Sequence, residues 1–213
     1  DLDEQVRAGA DRPLEAQYPF LIVDAMHIKV RRQGAVRSTS VLLAVGVSEE
    51  GQREILGLHL ALGETKEAWA KFFDRLKERG LTGVDLVTSD GHQGLREAAR
   101  SRFPGCIWTR CHAHFRRQVL DETPENHREA MQALLDEVLE ASSPLEARRT
   151  FEEMLDGERH RFVTIDEDKE LDTYEQLRQQ AATALRMLDE GLEDVTGVLA
   201  LPKKYRRRLR TTN

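Results

Sequence analysis

Three apolar runs open the chain. Tyr18–Val30 (YPFLIVDAMHIKV) starts as a continuous hydrophobic stretch and then partly alternates. Ser38–Val47 (STSVLLAVGV) is apolar and β-branched, and Glu54–Leu62 (EILGLHLAL) alternates more regularly. Short polar segments with glycine separate them: Arg31–Arg37 around Gly34, then Ser48–Gly51. This pattern predicts two successive hairpins, an antiparallel three-stranded meander.

The period then changes. Glu64–Arg79 carries Ala68, Trp69, Phe72, Phe73 and Leu76 at helical spacing, and Gly80 follows as a stop signal. Val84–Thr88 is a short apolar run of the kind that forms a buried parallel strand. Asp90-Gly91 ends it, Gln93–Arg102 reads as a helix, Phe103-Pro-Gly105 as a turn and Cys106–Trp108 as a further short strand. The order β-β-β-α-β-α-β describes a mixed sheet with helices on its faces, an α/β fold.

Beyond His114 the signals are helical. Asn126–Ala141, Leu145–Leu155 and Tyr174–Glu190 repeat apolar residues at helical spacing, and Leu192–Leu201 reads as a further short helix. Gly157–Asp172 is polar and irregular, with a short apolar Phe162–Ile165, and fits a loop or a small hairpin. The change from mixed to all-helical is set near residue 120. The expected division is a lead-in over 1–17, an α/β core over 18–120, a helical insertion over 121–201 and a basic segment over 202–213.

Composition alters this picture little. Of 213 residues, 39% are hydrophobic and 33% charged, an ordinary globular balance. No apolar run approaches the roughly 18 residues of a membrane span, and the N-terminus lacks the features of a signal peptide. Two cysteines make no disulfide framework, so a reducing cytoplasm is the expected location. The net charge of −6 argues by itself against nucleic acid, but the charge is segregated. Residues 121–194 are rich in Asp and Glu, while Lys203-Lys204-Tyr205-Arg206-Arg207-Arg208-Leu209-Arg210 is strongly basic. Such a stripe holds phosphates even on an acidic chain; it also fits a solvated helix face.

Two aspartates stand in unusual surroundings. Asp24 follows Phe20-Leu-Ile-Val23 inside the first strand, and Asp90 follows Val87-Thr-Ser89 at the C-terminal end of a parallel one. A carboxylate in a strand core is costly unless it is paired or binds a cation, and open α/β sheets place their sites at strand C-termini. Together they suit Mg²⁺, a hard cation that takes oxygen ligands. A turn aspartate at Asp90 and a hydrogen-bonded one at Asp24 fit the same residues. In Trp108-Thr-Arg-Cys-His-Ala-His-Phe115, Cys111 and His114 have a C-x-x-H spacing, with Cys106 and His112 nearby. A structural zinc site needs four ligands, so packing near the sheet end carrying Asp90 is the expected role. Arg110, Arg116 and Arg117 flank this cluster as candidate phosphate contacts.

Taken together these residues resemble the Mutator-type transposases, the bacterial insertion-sequence-256 family. The matching pieces are Tyr18–Ala25 with Lys29-Val-Arg31, Val45-Gly-Val47 with Glu50-Gly51, Glu54–Gly57, Trp69 and Leu76–Leu81. Val87–Leu95, Phe103-Pro-Gly105, Trp108–Phe115, Glu190–Asp194, Pro202 and Arg210-Thr-Thr-Asn213 complete the set. The resemblance implies a ribonuclease H-like fold with an all-helical insertion, and a triad of two aspartates and a glutamate. Asp24 and Asp90 match the two aspartates as catalytic residues and ligands of Mg²⁺ or Mn²⁺, and Cys111 and His114 match the C-x-x-H motif. It places the glutamate shortly after Arg-Thr-Thr-Asn, beyond Asn213, so the chain as given is expected to be inactive. Glu190 and Glu193 lie upstream of that motif and do not stand in for it. The stretch Gly157–Asp172 departs from the family pattern as an insertion.

The resemblance further implies DNA as partner, both transposon ends and target, a homodimer in the active assembly, no membrane, and a cytoplasmic protein, nucleoid-associated if bacterial. The expected DNA contacts are Arg110, Arg116, Arg117, Lys203, Lys204, Arg206, Arg207, Arg208 and Arg210. The alternative is a truncated or domesticated derivative that binds DNA without cutting it. A metal-dependent phosphohydrolase of another α/β fold fits less well, because a doubly wound fold normally places a helix after its first strand.

Overall fold

The computed structural model describes residues 12–32, 34–155 and 167–212. The chain divides into two compact units, residues 1–111 with 207–213, and residues 112–206.

The first unit is built on five strands: β1 (Phe20–Arg32), β2 (Ala35–Val47), β3 (Arg53–Ala61), β4 (Leu86–Ser89) and β5 (Ile107–Arg110). Their order in the sheet is β3-β2-β1-β4-β5. The first three form the antiparallel meander, and β4 and β5 join β1 in parallel through the crossover helices α1 (Lys66–Glu78) and α2 (Gln93–Arg102). The expected element order is therefore the observed one. The first hairpin is longer than expected: residues 31, 32 and 35–37 are strand, and Gly34 at φ 82° makes the turn, leaving little of the predicted polar loop.

Alternation along β1 decides which face carries what. Leu21 and Val23 are fully buried and pack with Leu42, Ala44 and Leu56 of the neighbouring strands. Against them lie Trp69, Phe72, Phe73 and Leu76 of α1 and Leu95, Ala98 and Ala99 of α2. Phe73 meets Phe103 edge-on at 5.2 Å. Thr65 caps α1 by accepting the Ala68 N–H, and Gly80, at φ 110°, ends it. A side chain on Gly80 would also run into the Leu14 carbonyl oxygen at 2.7 Å, so glycine is required twice over.

The opposite face carries Ile22, Asp24, Met26 and Ile28 of β1. In register with them are Leu43 beside Asp24 and Val41 beside Met26 on β2, then Leu58 and Leu60 on β3. Met26, Ile28, Leu58 and Leu60 are exposed. Asp24 is thus a carboxylate on an otherwise apolar stretch of sheet.

The second unit holds α3 (His112–Asp121), α4 (Arg128–Leu139), α5 (Pro144–Leu155), α6 (Glu167–Gln180) and α7 (Ala182–Thr196). Its buried residues recur at helical spacing: Phe115 and Val119, Met131, Leu134, Leu135 and Val138, Phe151 and Met154, Leu188, Leu192 and Val195. The His112 ring bonds the Val195 carbonyl at 2.7 Å, joining α3 to α7. The predicted helix over 174–190 is two helices, broken at Ala181, and the second runs on to Thr196 before a 3₁₀ turn over Gly197–Ala200. Of the expected irregular stretch, 157–166 lies outside the described residues, and helix begins at Glu167. A last helix, α8 (Lys203–Leu209), leads back to the first unit.

Candidate active site

Asp24 sits within β1 and Asp90 directly after β4, both half-buried. β1 and β4 pair in parallel, with Ile22 opposite Thr88 as their last partners. Two residues beyond that pair stand Asp24, still within β1, and Asp90, in the loop after β4. Neighbouring strands thus carry two carboxylates that are distant in sequence. The Asp24 Oδ1 accepts the N–H of Ala25 at 2.9 Å. Asp90 Oδ1 accepts the His92 N–H at 3.1 Å, a turn that holds its carboxylate beside the start of α2. Among the described residues neither forms an ion pair.

The strand end around Asp90 is fixed by hydrogen bonds. Ser89 Oγ donates to the Asp90 carbonyl at 2.8 Å and accepts the Trp108 indole N–H at 2.9 Å. The Ser89 carbonyl accepts the Cys111 N–H at 2.6 Å, and Arg96 lies over the Trp108 ring at 4.7 Å. Arg110, at the end of β5, lays its guanidinium against Gly91.

Cys111 is fully buried and bonds the C-terminal segment. Its Sγ accepts the Thr212 N–H at 3.3 Å and lies 3.7 Å and 3.6 Å from the hydroxyls of Thr211 and Thr212. Thr88 Oγ1 donates to the Leu209 carbonyl at 2.7 Å in the same region. The Arg-Thr-Thr segment is therefore seated on the ends of β4 and β5. His114 stands in the first turn of α3, half-buried. Cys106 precedes β5, and burial pushes its thiol above the usual range. Among the described residues, no three His, Cys, Asp or Glu side chains gather closely enough to hold a metal ion.

The basic residues have divided tasks. Arg116 pairs with Asp136 at 2.6 Å. Arg206 donates to the carbonyls of Leu201 and Ser142, both at 2.7 Å. Arg208 donates to the Glu50 carbonyl at 3.1 Å, and its own carbonyl accepts from Arg53 at 2.7 Å. Lys204 stands over the Tyr205 ring at 4.6 Å. Arg117, Lys203 and Arg207 are exposed, and Arg210 is half-buried.

One acidic residue of this region escapes a sequence reading. Glu64 reads as the first residue of a helix, yet it precedes the Thr65 cap, in the loop leaving β3. It pairs with His27 at 2.9 Å. Burial, then the Asp90 and Asp24 carboxylates, push its carboxyl above the usual range, against the opposing influence of His92 and His27.

The family model described as "Transposase, Mutator family" matches residues 1–213. The chain is 47% identical to the transposase for insertion sequence element ISRM5 of Rhizobium meliloti, over 59% of this chain and 32% of that protein. It is 42% identical to the transposase for IS256 in transposon Tn4001 of Staphylococcus aureus, over 59% of this chain and 33% of that one. To the transposase for IS1081 of Mycobacterium tuberculosis it is 32% identical over its whole length and 47% of the relative. The chain thus spans about half the length, or less, of the relatives it matches.

Proposed function

This chain belongs to the Mutator family of transposases, and we propose that it is the catalytic part of a DNA transposase, with a ribonuclease H-like core interrupted by a helical insertion. The observation that carries the reading is the pair Asp24 and Asp90, each two residues beyond the last pair of the parallel neighbours β1 and β4, with no ion-pair partner among the described residues. Two such carboxylates are a hard oxygen donor set, suited to Mg²⁺ or Mn²⁺. A cation held there supplies electrostatic stabilisation of the charge that develops on phosphodiester oxygens.

The reaction is hydrolysis of a phosphodiester at a transposon end, which frees a 3′-hydroxyl, followed by attack of that hydroxyl on a target phosphodiester. The protein's part is placement. Asp24 is held by the pairing of β1 with β2, and Asp90 by its turn onto His92. Arg110 presents a guanidinium against Gly91 as a phosphate contact, with Arg117, Lys203 and Arg207 as further contacts. The third acid is the glutamate that the family pattern sets shortly after Arg-Thr-Thr-Asn. The seating of Thr211 and Thr212 on Cys111, whose N–H bonds Ser89, supports its arrival near Asp90. The active assembly is a homodimer on DNA.

The test is a nicking assay with the complete reading frame, a labelled element-end duplex and Mg²⁺ or Mn²⁺. Wild type yields metal-dependent 3′-hydroxyl ends. Asp24→Asn and Asp90→Asn each lose at least on the order of 10³-fold in rate while retaining DNA binding. Cleavage at the wild-type rate by either variant would overturn the reading.

A further inference from the structure

We infer that Glu64 is an outer-sphere carboxylate of the Asp24–Asp90 cation site, held in place by His27 and by the packing of its loop against the loop that carries Asp90. The inference rests on the cation reading of the two aspartates.

The first observation is backbone packing. A Cβ on Gly94 would stand 2.9 Å from the Lys66 nitrogen and 3.3 Å from the Glu64 carbonyl oxygen. The same point is 3.3 Å from the His92 ring. The Glu64–Lys66 segment therefore lies directly on the first turn of α2, and only a residue without a side chain at position 94 permits it. Asp90, His92 and Gly94 share one short stretch, so the chain bearing Glu64 is clamped to the chain bearing Asp90. Lys66 and Glu97 tie the same two helix starts together with an ion pair of 2.9 Å.

The second observation is the anchoring of the side chain. Glu64 is 12% exposed and, among the described residues, engages His27 Nε2 through Oε1. The other ring nitrogen, Nδ1, lies 3.3 Å from the hydroxyl of buried Ser40. A Ser40–His27–Glu64 chain of hydrogen bonds thus fixes the carboxylate from behind, and among the described residues Oε2 is left for another donor. The Glu64 carboxylate is thus anchored to His27, three residues beyond Asp24 on β1, while its own backbone lies against the turn that follows Asp90.

The third point limits the role. No three acidic or imidazole side chains converge on one point among the described residues. Glu64 is therefore not a direct ligand together with both aspartates. Mg²⁺ keeps several of its waters when bound by one or two carboxylates, and a carboxylate one layer out accepts their hydrogen bonds and deepens the negative potential. Loss of such a partner typically lowers metal affinity by about 10–100-fold.

The experiment is Mn²⁺ binding to the 213-residue chain, followed by electron paramagnetic resonance and isothermal titration. Asp24→Asn and Asp90→Asn are expected to abolish saturable binding; if wild type binds no Mn²⁺, or these variants bind normally, the cation site itself is wrong. Glu64→Gln, which keeps a hydrogen bond to His27, is expected to bind the ion about tenfold more weakly, with unchanged stoichiometry. Its metal-free thermal midpoint should hold or rise, because a repelled charge has gone. Glu64→Asp should recover part of the affinity, and His27→Gln should lose less than Glu64→Gln. A folded Glu64→Gln chain that binds Mn²⁺ as tightly as wild type, with the aspartate variants still defective, would overturn the inference about Glu64 alone. A fall in metal-free stability with no change in affinity would do the same, since that is the mark of a purely structural residue.

Discussion

The guanidinium of Arg110 occupies the space where a side chain on Gly91 would begin. A Cβ built there would lie 2.6 Å from Nε and 2.8 Å from Cζ. Gly91→Ala must therefore push the arginine away from the loop that follows Asp90. The cost in stability, measured by urea denaturation, is expected to be small, because the displaced atoms are the end of a flexible side chain. DNA affinity should fall at the same time, and the slope of log affinity against log salt should shrink by about one unit if Arg110 meets a phosphate. An unchanged slope would remove Arg110 from the DNA contacts.

Cys111 is expected to matter for folding and not for metal. Cys111→Ala removes the acceptor of the Thr212 N–H and leaves a void where the residue is fully buried. A loss of about 1 kcal/mol follows from the lost hydrogen bond, and the void adds to it. The denaturation midpoint reports it, and elemental analysis should find equal metal in variant and wild type.

His59 gives the chain a pH-dependent element. It stacks on Phe72, and Arg75 donates to its Nδ1 at 3.0 Å. Burial, then the charges of Arg75 and Lys71, hold the imidazole below its ordinary proton affinity. The folded state thus binds fewer protons than the unfolded one in this window. The contribution is complete above the ordinary histidine value of about 6.5 and is lost as pH falls through the lowered folded value. Thermal midpoints of wild type and His59→Gln, compared from neutral to mildly acid pH, should converge on acidification. A constant gap would show that His59 titrates normally.

The 213-residue chain tested alone should bind element-end DNA weakly, in a salt-sensitive way, and should not nick it. Asp24 and Asp90 gain no third direct carboxylate among the described residues, and a misplacement of about 1 Å already costs about 10²-fold in rate. Nicking by this chain, abolished by Asp24→Asn, would mean that the third acid lies within it.

The sheet was legible because its residues obey simple periods. Leu21 and Val23 alternate with Ile22 and Asp24, and Gly34 marks a turn that only a left-handed residue makes easily. The start of α1 was less legible. Glu64 continues the helical pattern of the sequence, but Thr65 has the hydroxyl that caps the helix, and this leaves Glu64 outside it. The break at Ala181 is carried by no proline or glycine, so nothing local announces it. That Asp24 and Asp90 lie on neighbouring strands follows once β1 and β4 are known to pair in parallel. The hold of His27 on Glu64, and of Cys111 on Thr212, is long-range and has no period at all.

Cys111 ends the first segment of its unit, and Thr211, 100 residues later, comes back to the same sulfur. During synthesis, at about 5–20 residues per second, the ends of β4 and β5 exist for several seconds before the segment that covers them is made. The helical unit has its own buried residues, and the bonds at Cys111 require Thr211 and Thr212 to be made first. Loop-closure entropy grows only with the logarithm of length, by about 0.6 kcal/mol per doubling. Residues 112–206 can therefore lengthen or shorten at small thermodynamic cost, provided both ends still meet at that sulfur. The size of the excursion is thus loosely constrained, while the short spans from Ser89 to Cys111 and from Leu209 to Thr212 are held by the bonds at their ends.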